Sequence, residues 1–211
     1  MLRAHLKIIK EDINHNFKVV VDQPSRSFLL QFPSLMARQW MQTTDACKDA
    51  AGQVLNKGAV GKPFHMTSYG GYGRGIYVSE GDWSTYLAAD EQGIVIGTAG
   101  AAIQPDQYAM ISQIRSGEIA NTVMHYGTCV YGLTINTTTD EAHFHVEAIY
   151  NNKSGGSINV NEVGIYANGY GNGDNYPNLQ QYCIVRDILD ETIALADTEY
   201  LKIVYTLSIA T

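Results

Sequence analysis

The sequence predicts an all-β fold: an antiparallel β-sandwich, jelly-roll-like, with an N-terminal β-hairpin and one α-helix. Three observations lead there. Tyr200 to Ala210 alternates cleanly, with Leu201, Ile203, Tyr205, Leu207 and Ile209 on one face and Lys202, Thr206 and Ser208 on the other. That is the period-2 pattern of a strand with one buried face. Further strand-like segments follow Gln92, separated by turn clusters such as Asn151-Asn152-Lys153-Ser154-Gly155-Gly156 and Asn168 to Pro177, a spacing suited to a sandwich. Composition agrees. Charged residues are only 17% of the 211, against about 25% in typical domains. The difference is made up by 20 glycines and 14 tyrosines together with Asn and Thr, residues that suit strands and turns better than exposed helices.

In chain order, His5 to Ile9 and Asn16 to Val21 read as two strands. The polar run Glu11-Asp12-Ile13-Asn14-His15 between them turns the chain into a hairpin. Phe28, Phe32, Leu35, Met36, Trp40 and Met41 then fall on one helical stripe. Pro33 favours a helix start, so the helix is placed over Pro33 to Gln42. Its apolar stripe is expected to pack on the sandwich or on another subunit. Residues 43 to 92 are rich in breakers, with a short strand at Ile76 to Ser79.

From there strands dominate. Gly93 to Gly97 reads as a short buried strand. Gln104 to Tyr108 opens a turn or short helix, with Tyr108, Ile111 and Ile114 at helical spacing. Val123 to Ile135 is expected to place Val123, His125, Cys129, Tyr131, Leu133 and Ile135 on one face. Ala142 to Tyr150, Ile158 to Tyr166 and Gln181 to Asp187 complete the set before the last strand. The expected organisation is residues 1–92 as a hairpin, helix and Gly-rich region for docking and assembly, and residues 93–211 as the sandwich domain.

Charge and targeting signals narrow the function. The net charge of −7 argues against a general nucleic-acid binder, which needs a basic stripe to displace counterions. Charges interrupt every short apolar run at the N-terminus, so no signal-peptide core forms. No apolar run reaches the roughly 18 residues of a membrane helix. Cys47, Cys129 and Cys183 are odd in number and widely spaced. They read as unbridged thiols rather than a disulfide framework or zinc site.

The one tempting chemical cluster is His143-Phe144-His145-Val146-Glu147, where period 2 puts two imidazoles and a carboxylate on one strand face. An HxH pair near a Glu on a jelly roll is the cupin arrangement. Here the Glu follows too closely, and no histidine occurs after His145. A solvent-facing polar face accounts for His143, His145 and Glu147 better than a metal does. No GxSxG elbow is present, and Gly70 to Gly75 lacks the register of a phosphate-binding loop. Gly169 to Asn175 supplies a single carboxylate to a would-be calcium loop. Asn136-Thr137-Thr138 and Asn152-Lys153-Ser154 fit the glycosylation sequon. The expectation is a protein that is not an enzyme, with no catalytic residues and no cofactor.

A set of motifs in order adds to this. Gly93-Ile94-Val95-Ile96-Gly97-Thr98 is followed by Pro105-Asp106-Gln107-Tyr108, then by Phe144 to Asn152 with a Ser-Gly linker. Val160-Asn161-Glu162-Val163-Gly164-Ile165-Tyr166, Val185-Arg186-Asp187-Ile188-Leu189 and the closing Leu201 to Leu207 come next. Together with Ser27 to Phe32, these resemble a family of tailed-bacteriophage virion structural proteins. The similarity spans roughly residues 25 to 211, with 43 to 92 unmatched. Ala99 after Gly97-Thr98, where the family commonly has glycine, and Cys183-Ile184-Val185 before Arg186-Asp187 depart from its pattern. The resemblance implies a β-rich component of a virion, either a capsid decoration protein or a neck or tail part. Its partners would be copies of itself and other virion proteins such as the major capsid protein. Read physically, Glu162 and Arg186 in neighbouring strands form a cross-strand ion pair. Phe28, Phe32 and Trp40 are the expected contact residues. A surface short of charge and rich in Tyr, Asn, Thr and Gly, with sandwich edges to cover, suggests a homotrimer. A carbohydrate-binding sandwich on a fibre, using Tyr- and Asn-rich loops, is the alternative, and a cupin-like metalloprotein the third.

Overall fold

The structure, a computed structural model, describes residues 2–25, 28–29, 32–33, 48, 50–52, 93–117, 123–136, 141–170 and 179–210. Among these residues there are nine strands: β1 (Leu2–Glu11), β2 (Phe17–Ser25), β3 (Gly93–Gly97), β4 (Arg115–Ser116), β5 (Val123–Asn136), β6 (Glu141–Asn151), β7 (Ile158–Tyr170), β8 (Leu179–Leu195) and β9 (Tyr200–Ala210). They form a six-stranded sheet in the order β2-β1-β9-β6-β5-β4 and a three-stranded sheet in the order β3-β7-β8. All pairings are antiparallel except the short β4–β5 contact. This is the all-β, two-sheet sandwich that the alternation predicts. The helix expected over Pro33 to Gln42, Trp40 included, and the strand at Ile76 to Ser79 lie outside the described residues, apart from Pro33.

The hairpin forms because Asp12 closes its turn. The Asp12 Oδ1 accepts from the backbone N–H groups of Asn14 (2.8 Å) and Asn16 (2.9 Å), and His15 takes a left-handed φ of 62°. β1 does not stop at β2. It pairs with β9 over ten residues, Leu2 opposite Ile209 through Glu11 opposite Tyr200. The larger sheet of the sandwich therefore takes in residues 2–25 as well as strands from the C-terminal half. The apolar set of β1, Ala4, Leu6 and Ile8, lies buried beside Leu201, Ile203 and Tyr205 of β9, so one continuous apolar face serves both strands.

Three tyrosines of the larger sheet tie it to the smaller one. Tyr150 of β6 donates to the Ile94 carbonyl (2.8 Å). The Tyr126 hydroxyl donates to the Ile114 carbonyl (2.7 Å) and accepts from the Ile96 N–H (3.3 Å). Tyr205 of β9 donates to Asp187 Oδ2 (2.9 Å). Each buries a large ring and still satisfies its hydroxyl. Tyr126 and Tyr150 also meet edge to face, with centroids 4.9 Å apart.

Two expectations are corrected. In β5 the register slips between Tyr126 and Cys129, where Gly127 and Thr128 oppose the single residue Ile149 on β6. This β-bulge reverses the alternation. Met124 and Tyr126 are buried, and Val123 and His125 are not. Residues 98–114 are not helical. Two of their backbone donors go to the smaller sheet, Ile114 N–H to the Ile96 carbonyl (2.9 Å) and Met110 N–H to the Tyr166 hydroxyl (2.8 Å), while Thr98 N–H closes the segment on itself at the Ser112 carbonyl (2.8 Å). With those bonds made, an i to i−4 ladder has no claim on the segment.

Candidate functional site

The densest polar assembly lies under the 98–114 segment, on the smaller sheet. Arg186 sits opposite Gly164, and Glu162 is two residues further along β7. The two side chains therefore meet on the diagonal of one sheet face. Arg186 Nε donates to Glu162 Oε2 at 2.7 Å, and both side chains are fully buried. Arg186 Nη1 donates to Gln107 Oε1 (2.8 Å) and Nη2 to the Ala101 carbonyl (3.2 Å). The other Glu162 oxygen accepts from the Ser112 N–H (2.9 Å). The guanidinium fork thus spends all three nitrogens inside the protein. Gly97 makes room for this: a β-carbon there would lie 2.5 Å from Glu162 Oε1 and 2.6 Å from the Ser112 carbonyl. The motifs carrying Gly97 and Gln107 lie more than fifty residues before those carrying Glu162 and Arg186, and all four adjoin in space.

Asp187 points the other way, into the core between the sheets. Its Oδ2 accepts from Ser25 Oγ (2.7 Å) and from the Tyr205 hydroxyl (2.9 Å). Burial and the neighbouring Asp187 charge hold the Tyr205 phenol well above the usual range. Cys183 is free and fully buried. Burial pushes its thiol up, well beyond the reactive range, despite the opposing pull of Arg186. Cys47 and the Cys129 side chain lie outside the described residues.

His143, His145 and Glu147 share the outer face of β6, as period 2 requires, but each is drawn to a different neighbour. His143 Nδ1 bonds Ser208 Oγ (2.8 Å), and its Nε2 lies 3.4 Å from Glu141. Glu147 pairs with Lys202 at 2.6 Å. The His145 ring lies over Gly132, where any β-carbon would collide with it. The three side chains do not converge, and among the described residues no group of three His, Cys, Asp or Glu is placed to hold a metal ion. Phe28 forms an isolated bridge with Val185 of β8 and packs against Phe32 in a tilted ring contact, with centroids 4.8 Å apart. Both pack on the core.

One residue matters more than its sequon suggested. Asn152 is buried, its amide donating to the Gly156 (2.7 Å) and Leu195 (2.8 Å) carbonyls. It ties the β6–β7 turn to the end of β8 and offers no free amide to a glycan. The Asn-x-Ser-Gly pattern, ending in Gly155 at φ 79°, was the available signal. Open grooves among the described residues include two of mixed polarity. The larger, about 610 Å³, lies between the tips of β2 and β8 and mixes Lys10, Lys18, Glu191 and Glu199. The smaller, about 420 Å³, is bordered by Arg3, His5, Ser25 and Phe28. Compared with known proteins, the chain matches no family model, no curated protein and no solved structure.

Proposed function

We propose that this chain is a non-enzymatic structural component of a tailed-bacteriophage particle, a capsid decoration or cement protein that acts as a homo-oligomer on other virion proteins. The observation that carries this reading is the convergence of the ordered motifs. Gly97, Gln107, Glu162 and Arg186, from four of the motifs that resemble the virion family, meet in one buried, internally satisfied ion-pair centre. A signature spent on architecture fits a protein selected for its shape and rigidity. Its polar groups are committed to holding the sandwich and the 98–114 segment together, which leaves the surface for contacts. The test is quantitative mass spectrometry of purified particles. A copy number matching the capsid lattice supports decoration, a single ring's worth moves the protein to the neck or tail, and absence from particles refutes the reading.

A carbohydrate-binding role on a fibre draws on a different observation. Phe17 (70% exposed) and Tyr200 lie in one cross-strand row on the outer face of the larger sheet, on either side of Glu11. Two rings flanking a carboxylate form a small amphipathic platform suited to a sugar face. A glycan array with wild type and Phe17→Ala separates this role from the first.

A further inference from the structure

We propose that β5 is an assembly edge, which pairs antiparallel with β5 of a second copy of this chain about a two-fold axis. The six-stranded sheet then continues across two subunits. This inference is independent of the particle reading and rests on a contrast between the two outer edges of that sheet.

On one side β5 pairs with β6 to its end, Asn136 opposite Glu141. On the other side β4 covers only Val123 and Met124. Among the described residues, no strand pairs with that side from Gly127 onward. The segment Gly127 to Asn136 contains no charged residue and no proline. It exposes apolar side chains on both faces: Leu133 (66%) and Ile135 (67%) on the core-side face shared with Val146, and Val130 (38%) on the other. An uncharged, β-prone strand with a free row of N–H and C=O groups templates another strand.

The opposite edge, β2, carries the usual deterrents. Pro24 has no N–H to offer, Lys18 and Asp22 place charges along it, and the ladder bulges at Val20 where the register slips between Ile8 and Ile9. One edge of the sheet is thus competent to pair and the other is protected.

That asymmetry selects the occupant. A head-to-tail contact would need β2, which is blocked, so growth into a filament is prevented. A β5–β5 contact is isologous and closes on itself. The absence of charge matters most for identical partners. Two chains of net charge −7 meet here along the one long edge where no like charges oppose. Leu133 opposite Leu133 at the two-fold axis would put the exposed apolar positions at the centre of the contact. The contact builds an assembly with an even number of subunits, in place of the trimer that composition suggested.

Sedimentation velocity of the full chain across a hundredfold dilution from micromolar concentration tests this. The expected mass is twice 23.2 kDa, halved to the single-chain value in L133K/I135K. The circular dichroism and melting of that variant should match wild type, because both side chains are two-thirds exposed. Should it fail to fold, V130E on the other face of the same strand provides the same halving. V19K on β2 is expected to leave the mass unchanged. A wild type at the single-chain mass throughout would overturn the proposal. So would an odd-numbered assembly, one that survives both sets of β5 changes, or one that V19K dissociates.

Discussion

Arg186 and Glu162 meet diagonally across β8 and β7, Nε to Oε2 at 2.7 Å, with neither side chain reaching solvent. The pair also holds the 98–114 segment, since Arg186 reaches Gln107 and Ala101 while Glu162 holds the Ser112 N–H. Removing one partner leaves a buried charge unmatched. Arg186→Met and Glu162→Leu should each lower unfolding stability by about 3–5 kcal/mol, read from urea denaturation. Arg186→Lys should also destabilise, because an ammonium cannot reproduce the planar fork that serves three partners. A loss under 1 kcal/mol for all three would show that the pair is dispensable.

Gly97→Ala tests the same centre from the backbone side. Its β-carbon would meet the Ser112 carbonyl at 2.6 Å and Glu162 Oε1 at 2.5 Å, and the carbonyl cannot swing away as a flexible side chain could. The expected cost is about 1–3 kcal/mol, with the amide signals of residues 110–114 displaced in NMR spectra. Gly100→Ala is the control, because nothing lies near its would-be β-carbon.

Tyr205→Phe removes one of two hydroxyls that bond Asp187 Oδ2. The loss of a hydrogen bond to a buried acidic group should cost about 1.5–3 kcal/mol. Tyr150→Phe, which strips a donor from the neutral Ile94 carbonyl, should cost less, about 1 kcal/mol. Thermal unfolding of the two variants side by side gives the order, and the reverse order would contradict the Tyr205–Asp187 bond as the stronger tie between the sheets.

Alkali should weaken the fold in a defined window. Burial raises the Cys183 thiol and the Tyr166 and Tyr205 phenols above their ordinary values of 9.0 and 10.0. Above pH 9 the unfolded chain releases protons that the folded chain still holds, so stability is fully present below that pH and falls as pH rises. Urea midpoints should be flat from neutral pH to about 9 and decline beyond. Cys183→Ala should remove the first part of the decline, leaving the part that begins near the phenol's ordinary value. Native Cys183 should also resist thiol labelling until the protein unfolds.

The strands with one buried face were legible, because β6 and β9 alternate without interruption and hydrophobic burial obeys that period. The Glu162–Arg186 pair was legible too, since charges inside apolar strands must find each other. Less visible was the inversion of β5. Val123, His125 and Cys129 share odd positions, but the extra residue near Gly127 shifts the parity, and a bulge leaves only a glycine as its mark. β8 runs on to Leu195, past the expected end at Asp187. Its Asp190 and Glu191 resemble a turn but lie exposed beside the buried Leu189 and Ile193. Tyr108, Ile111 and Ile114 have helical spacing, yet the sheet edge claims the Ile114 backbone and two side chains claim those of Met110 and Ser112. Long-range partners of that kind leave no local trace.

β9 is the last strand in sequence but sits between β1 and β6 in the larger sheet. Until it arrives, the β1–β2 and β5–β6 hairpins have no ladder to join them, and Leu6, Ile8, Val146 and Ala148 lack the strand that lies between them. During synthesis the two half-sheets must therefore wait with sticky inner edges until β9, made after both, can close the sheet between them. Such a late, non-local step makes folding slow and leaves the incomplete chain prone to association. Deleting β9 should give an insoluble product rather than a smaller folded core.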